Sequence, residues 1–356
     1  MAKIALLHNP NNISHKAASF SPENPERIEK ALRFLKARTD LFSRGKVDLV
    51  EDFGAASTEE ITAVHDPLYV RFVREYSEKG GGFLGDSTYF SPSTDLVART
   101  AVQGAILGAE MVVRGDYEST FALVRPPGHH ATKDRYSGYC IFNNGAIATR
   151  HLQRLKKKRI MFIDWDAHAG NGTSSIFYDD PTVLTLSIHR DPHEFYPHEG
   201  FAYQIGTGKG RGYNINVEMP KGGGDREYRL VFREIVEPVM KDFSPDFVIG
   251  INGFDSHYTD NYAGLQVSEE GFHFFGSFLR EHAPGRFSVI MEGGYSSSAN
   301  GKLTHSLLAG MGGEEAPYPS GLDRLSAKIL GSEKTFTIVQ EKIKELHGIL
   351  RDYYSF

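Results

Sequence analysis

Residues Ile160 to Gly172 read IMFIDWDAHAGNG. The stretch opens on four apolar residues and closes in turn formers, with Asp164, Asp166 and His168 at alternate positions between them. In an extended strand, residues i, i+2 and i+4 share a face. The two carboxylates and the imidazole therefore point one way, and Trp165, Ala167 and Ala169 point the other way, into packing. Two acids on one face of a buried strand repel each other unless a cation lies between them or one keeps its proton. Oxygen and imidazole donors without a thiolate suit zinc, iron or manganese in a catalytic site.

Short apolar runs of the same kind recur at 3–8 (KIALLH), 120–124 (TFALV), 159–164 (RIMFID), 183–189 (VLTLSIH), 213–219 (YNINVEM), 246–253 (DFVIGING) and 287–294 (FSVIMEGG). Runs this short and this rich in Ile, Val, Leu and Phe fit parallel strands covered on both faces. Helix-like segments lie between several of them: PERIEKALRFLKAR, TDLVARTAVQGAILGAEMVVRG, REYRLVFREIVEPVMKDF and SEEGFHFFGSFLREHA. The alternation predicts an α/β fold with a mainly parallel central sheet and helices on both faces. No Pro/Ser/Gly-rich linker divides the chain, so residues 1–356 are expected to form one catalytic domain, with 320–356 a C-terminal helical extension packed on it. KGGGDRE (221–227) reads as a turn into a helix. GTGKGRG (206–212) precedes a strand instead of opening a helix, so it lacks the phosphate-cradling arrangement and reads as a loop.

Composition narrows the function classes. The chain has 356 residues, a formal net charge of −5, 40% hydrophobic and 24% charged residues, which is ordinary for a globular protein. Mild acidity gives no support for direct nucleic-acid binding. The one basic run, Lys156 to Arg159, reads as a solvated connection between a helix and a strand. A lone cysteine, Cys140, excludes an internal disulfide and suits a reducing compartment. The N-terminal apolar run is too short for a signal peptide, and no stretch approaches the ~20 apolar residues of a membrane span. A cytoplasmic enzyme with no membrane contact is the expectation.

In open parallel sheets, ligands bind at the carboxyl ends of the strands. The polar clusters fall there: Asp164 to His168, Asp255 after FVIGING, Glu292 to Tyr295 after FSVIM, and His129 and His130 just beyond TFALV. A catalytic metal wants three protein ligands and an open position. Asp166 and His168 supply two; Asp255 is the third candidate, with His257 its rival. Asp164, one pleat deeper, can orient an imidazole or bind a harder cation together with backbone carbonyls. RPPGHHA (125–131) is a rigid loop presenting His129 and His130, which can act as general base and acid beside an activated water. Each needs a partner for its other ring nitrogen, and Asp164 and Asn171 are available. In MEGGYSS, Tyr295 follows two glycines, and its phenol can bond a carbonyl oxygen that gains charge. Tyr139 and Phe195–Tyr196 are candidate walls of a narrow aromatic channel.

The ordered set RPPGHHA, DWDAHAGNGT, GFDSH and EGGY resembles the histone deacetylase superfamily, which includes histone deacetylase-like amidohydrolases and acetylpolyamine amidohydrolases. The likeness runs from NPERIEKALRFL and VHDPLYVRFV to SLLAG, over roughly residues 1–310. That group is similar to arginases in fold, which implies a three-layer α/β/α sandwich. The resemblance implies zinc-dependent removal of an acyl group, most simply acetyl, from acetyl-lysine or a small acylated amine such as an acetylpolyamine. By position, Asp166, His168 and Asp255 would hold zinc; His129 and His130 would be the tandem catalytic histidines, supported by Asp164 and Asn171; Tyr295 would polarise the carbonyl. Gly138, Tyr139 and Tyr196 would line the acyl channel, with Asp86 and Tyr262 at its rim. A potassium ion near zinc would use Asp164, Asp166, His168, Ser187 and Ile188, and a second Phe177, Asp180, Val183 and Tyr213. The sequence departs from the family pattern at Ala169 (a second histidine elsewhere), Asn171 (Asp in class I enzymes), Asn261–Tyr262 (often Pro-Leu), and Tyr139 and Tyr196 (often Phe). The extra hydroxyls make the entrance more polar. Two rival readings stay open: a dimanganese arginase-like ureohydrolase, although Gly170 and His257 stand where arginases place aspartates, and a non-catalytic acyl-ligand binding protein. An oligomer is compatible with either.

Overall fold

The computed structural model describes residues 3–16, 21–42, 45–318 and 333–356. In chain order its strands are β1 (Ile4–Leu7), β2 (Val47–Val50), β3 (Gly82–Phe83), β4 (Tyr89–Phe90), β5 (Ser119–Ala122), β6 (Ile160–Asp164), β7 (Val183–Arg190), β8 (Asn214–Met219), β9 (Phe247–Asn252) and β10 (Phe287–Met291). Eight of them form one sheet in the order β2-β1-β5-β10-β9-β6-β7-β8, parallel throughout. The seven apolar runs are all strands of this sheet. Its eighth member, β2, lies at one edge and has a single buried residue, Val47, whereas β8 at the other edge is buried throughout. A strand left half open needs no continuous apolar run, so nothing in the sequence of β2 marks it.

Strand parity sorts the side chains into two cores. Met161, Ile163 and Trp165 join a core built with helices Glu26–Lys36, Glu269–His282 and Asn300–Gly312. Ile160 and Phe162 join a second core on the other face, with helices Pro67–Glu78, Thr94–Arg114 and Asn144–Arg154. Helices thus cover both faces, giving three layers in one domain. Helix Thr94–Arg114 corrects one expectation. With 21 residues and a mean hydropathy of 1.4 it is long and apolar enough to cross a membrane, yet most of it is buried in the fold. Its apolar surface is large because it packs on the sheet with one side and on neighbouring helices with others.

The expected helix over 226–243 is broken by a wider turn, Phe232–Val236, between Asp225–Val231 and Glu237–Phe243. Pro238, which has no N–H to give to the preceding turn, sits just beyond the break. At the C-terminus, helix Glu333–Leu350 buries Val339, Ile343, Leu346 and Leu350 in the first core. The other residues of the expected extension before it, 320–332, lie outside the described residues.

Register places the site. Asp164 pairs with Ile251, Ile251 with Ile290, and Ile290 with Ala122, so the four adjacent strands β6, β9, β10 and β5 end level. Trp165, the only tryptophan, is wholly buried directly after β6; its indole N–H donates to Asn252 Oδ1 at 2.8 Å and its ring lies against Phe275. Gly250 allows this, since a Cβ there would lie 2.7 Å from the indole. Replacing Trp165 by Ala opens a large cavity and strands Asn252. The expected cost is about 3–5 kcal/mol, read as a lower midpoint in urea unfolding; an unchanged midpoint would show that the ring is not part of the packed core.

Candidate active site

The hydrogen-bonded ladder of β6 ends at Asp164, yet the alternation expected for a strand persists to Ala167, which is still in the first core. What extends it is a chain of side-chain-to-backbone bonds. Asp164 Oδ1 accepts from the Asp166 N–H at 3.0 Å, and Asp166 Oδ1 from the His168 N–H at 2.8 Å. Each carboxylate fixes the backbone two residues on, as in an Asx turn. Asp255 Oδ1 accepts from the Ala167 N–H at 2.9 Å, and Asp166 Oδ2 from the Gly293 N–H at 2.8 Å.

These bonds bring Asp166, His168 and Asp255 together, with their donor atoms within 4.8 Å of one another. His168 Nδ1 lies 3.1 Å from Asp166 Oδ1 and 2.9 Å from Asp255 Oδ2. Both aspartates are fully buried. His257, the rival third ligand, is turned elsewhere: its Nδ1 contacts Thr259 Oγ1 at 2.8 Å, and its Nε2 lies 3.6 Å from Glu269. Gly253 and Gly293 crowd the cluster, and a Cβ on either would collide with the Asp166 and Asp255 carboxylates.

Ionisable groups crowd this corner. Burial pushes the Asp255 carboxyl up to about 6, and the Asp166 charge adds to this. Burial also raises Asp164 to about 6, against the pull of His129. Burial opposes ionisation of Asp166 as well, but His129 and His168 hold it far below the usual carboxylate range. Burial disfavours a charged His168, yet its bonds to Asp166 and Asp255 raise it to about 9. His129 and His168 are the positive partners these acids have here, and two carboxylates plus an imidazole are donors that suit a divalent ion such as zinc, iron or manganese.

His129 and His130 stand beside this cluster with ring centroids 4.1 Å apart. His129 Nδ1 faces Asp164 Oδ2 at 3.1 Å, and His130 Nδ1 faces Asn171 Oδ1 at 2.8 Å. Burial works against a charged His129, but Asp166 and Asp164 raise it to about 10. Burial, then the neighbouring His129 and His168, lower His130 well below its ordinary value. The loop carrying the pair is pinned from below. Arg125, completely buried, bonds Glu23 at 2.8 and 2.7 Å and the carbonyls of Asn12 and His15. Burial would raise Glu23, but Arg125 and Arg27 hold it at about 2.

Tyr295 is half-buried, its backbone N–H held by Asp260 Oδ2 at 2.6 Å. Its ring meets Tyr139 at 5.8 Å, Tyr262 at 5.2 Å and the Arg27 guanidinium at 5.1 Å. Burial and then the Asp255 charge push its phenol well up, so it stays a proton donor at neutral pH. Tyr196 packs edge-on to His130 at 5.2 Å, and Phe195 stacks on His168 at 4.6 Å. Tyr196 Oη donates to the exposed Asp86 at 3.2 Å and pairs with Ser137 Oγ at 2.7 Å. The Gly138 N–H also reaches Asp86, at 3.3 Å, and a Cβ on Gly138 would lie 2.5 Å from His130. Tyr262 is exposed at the rim.

The residues expected around potassium fall in two places. Ser187 pairs with Asp164 across β6 and β7, with Ile188 next to it, and the Ser187 hydroxyl bonds His189 Nδ1 at 2.8 Å. Phe177, Asp180 and Val183 form the turn after helix Asn171–Phe177, and Tyr213 accepts from the Thr185 N–H. Asp180 pairs with Arg150 at 2.9 Å, so carbonyl oxygens are the donors that turn can offer.

The histone deacetylase domain model matches residues 21–311. This chain belongs to the histone deacetylase family. It is 39% identical to a probable deacetylase of Methanothermobacter thermautotrophicus, over 92% of this chain and 97% of that protein. It is 34% identical to a histone deacetylase-like amidohydrolase of Pseudomonas aeruginosa, over 78% and 72% of the two chains. It is 35% identical to the human polyamine deacetylase HDAC10, over 84% of this chain and 46% of that one. The crystal structure of the HDA15 HD domain superposes with a TM-score of 0.88 at 28% identity, covering 99% of this chain and 95% of that one.

Within this deacetylase fold, some supporting residues carried no signal in the sequence. Asp260 sets Tyr295, and Glu292 sets the histidine loop by accepting from the Gly128 and His129 N–H groups at 2.5 and 3.0 Å. Glu292 was visible only as one of several polar residues at a strand end. Its Oε1 has no hydrogen-bond partner, and burial pushes the carboxyl up to about 7 against the pull of His129. A carboxyl raised from 4.5 binds its proton more tightly in the folded chain. The resulting stability is complete below about pH 4.5 and is lost as pH rises through about 7. Glu292→Gln should therefore flatten the decline in urea-unfolding stability between about pH 4.5 and about pH 7; an unchanged slope would show that Glu292 ionises normally.

Proposed function

We propose that this chain hydrolyses the amide of an N-acylated amine, most simply acetyl-lysine, using one zinc ion held by Asp166, His168 and Asp255. The observation that carries this reading is convergence: three metal donors, two imidazoles with different Nδ1 partners, and a phenol meet at the ends of four level strands. When bound, the ion supplies Lewis acidity toward the carbonyl and the attacking water.

The chain does the rest. His130 donates a hydrogen bond from Nδ1–H to Asn171 Oδ1, which leaves Nε2 bare to take a proton from water as its oxygen bonds to the carbonyl carbon. Tyr295 donates to the carbonyl oxygen as charge builds there. His129, beside the Asp164 carboxylate, keeps a positive charge next to that oxygen. A histidine then protonates the leaving nitrogen as the C–N bond breaks, giving acetate and amine. Tyr139 and Tyr196 flank the acyl chain, with Gly138 opening the space between them; Asp86 and Tyr262 meet the rest of the substrate at the rim. One potassium ion would be held by Asp164, Asp166, His168, Ser187 and Ile188 and a second by Phe177, Asp180, Val183 and Tyr213, adding positive charge near the buried acids. The buried Cys140 accords with a reducing, cytoplasmic setting.

A small acylated amine is the second substrate class. The human relative is named a polyamine deacetylase, and the entrance here carries an exposed acid, Asp86, among tyrosines that suit a cation. An arginase-like reading has less support. Gly170 supplies no carboxylate, and His257 faces away from the cluster.

Purified protein should release acetate from a fluorogenic acetyl-lysine peptide or from acetylspermidine, lose that activity with a chelator, and regain it with one equivalent of zinc. Absence of turnover on every acyl amine tested, with zinc bound, would sink the proposal. Tyr295→Phe should lower kcat by at least about 100-fold with KM little changed, as expected for a contact made in the transition state.

A further inference from the structure

The loop Phe195–Gly200 approaches His130 from two directions. Tyr196 lies edge-on to its ring at 5.2 Å. Three residues later, Glu199 Oε2 accepts from Asn171 Nδ2 at 3.0 Å, and Asn171 Oδ1 faces His130 Nδ1 at 2.8 Å. The Glu199 side chain is exposed, and its neighbours on either side are held. His189 Nε2 bonds the Gly200 carbonyl at 2.9 Å, the Gly200 N–H donates to Gln204 Oε1 at 2.7 Å, and His198 Nδ1 lies 3.1 Å from the Pro192 carbonyl. Gly200 has φ +92°, and a Cβ on it would lie 2.7 Å from the Ala169 methyl and from the His189 ring.

We propose that Glu199 is a positioning residue: it fixes which end of the Asn171 amide faces His130, and so which nitrogen of His130 carries the proton. The inference rests on the reading of His130 as the base that takes a proton from water. An asparagine side chain has one face that accepts and one that donates, and the two are nearly identical in shape. Turned one way, it offers Oδ1 to His130, and the imidazole keeps its proton on Nδ1 with Nε2 bare. Turned the other way, it offers N–H to His130, the proton moves to Nε2, and the base is lost. A carboxylate only accepts. Glu199 therefore selects the Asn171 amino group for itself and directs the oxygen toward His130.

Among the described residues, Glu199 is the side chain that bonds the Asn171 amino group. Asn171 and Glu199 line a cavity of about 340 Å³ with Ala169, Ser174, Gly200 and Gln204. Without the Glu199 carboxylate, water can fill that space. Water donates and accepts equally well, so it leaves the amide free to turn.

A double-mutant cycle on the zinc-loaded enzyme tests this. Glu199→Ala alone should lower kcat on the order of 10-fold, with KM and zinc content unchanged, as for loss of a group that orients a catalytic imidazole. In an Asn171→Asp background the same change should not lower kcat, because an aspartate accepts through both oxygens and has no wrong way round. Equal losses in both backgrounds would mean that the loop merely needs Glu199 to hold its shape, and would overturn the proposal. So would an unchanged kcat in the single variant. ¹⁵N NMR of the His130 ring gives a readout that does not depend on turnover. Wild type should be protonated at Nδ1, and Glu199→Ala should show a mixture of both neutral forms; identical spectra would overturn the proposal. Loss of the deacetylase reading would show instead as an inactive wild-type enzyme, with the ring spectra still deciding the role of Glu199.

Discussion

Buried carboxylates that are half satisfied set the terms for this structure. Asp166 accepts a backbone N–H bond on each oxygen, from His168 and Gly293, and Asp255 accepts one from Ala167 on Oδ1. Backbone bonds hold an acid in place without neutralising it. Asp255 Oδ2 faces His168 Nδ1 at 2.9 Å, and both aspartates are fully buried. Leaving such groups unpaired is far costlier than any surface arrangement, so the strand ends must hold their partners rigidly. The level register of β5, β10, β9 and β6 supplies that rigidity.

The same logic extends outward. Glu23 ties Arg125 and Arg27 together, Arg125 holds the loop before the histidines, and Arg27 reaches the carbonyls of Glu292 and Gly294. The loops that carry His129 and Tyr295 are thus fastened to one buried ion cluster. Residues far apart in the chain, such as Glu23 and Glu292, act as one frame.

The sequence was most informative where chemistry and local periodicity coincide. Alternate Asp, Asp and His after a buried run could be read directly, because two acids on a covered face need an explanation wherever they occur. Seven strands were legible because all of their residues are buried, β8 at one sheet edge included. Strand β2, at the other edge, was not, since only one of its four residues is buried. Helix Thr94–Arg114 was under-read because its apolar surface serves packing on several sides at once. The choice between Asp255 and His257 could not be made from spacing, as it depends on which side chain the turn after β9 carries toward β6. Asp260, Glu292 and Glu199 were out of reach for a different reason. Each acts on a partner more than twenty residues away, and nothing in the local sequence around it indicates that partner.

Gly170 deserves a last word on what this architecture forecloses. A Cβ at that position would sit 2.5 Å from Asp164 Oδ2 and 3.6 Å from His129 Nδ1, so any side chain there would have to displace the Asp164 carboxylate. Asp164 also faces His129 Nδ1 at 3.1 Å, so a larger residue at 170 would disturb the partner of one imidazole of the pair.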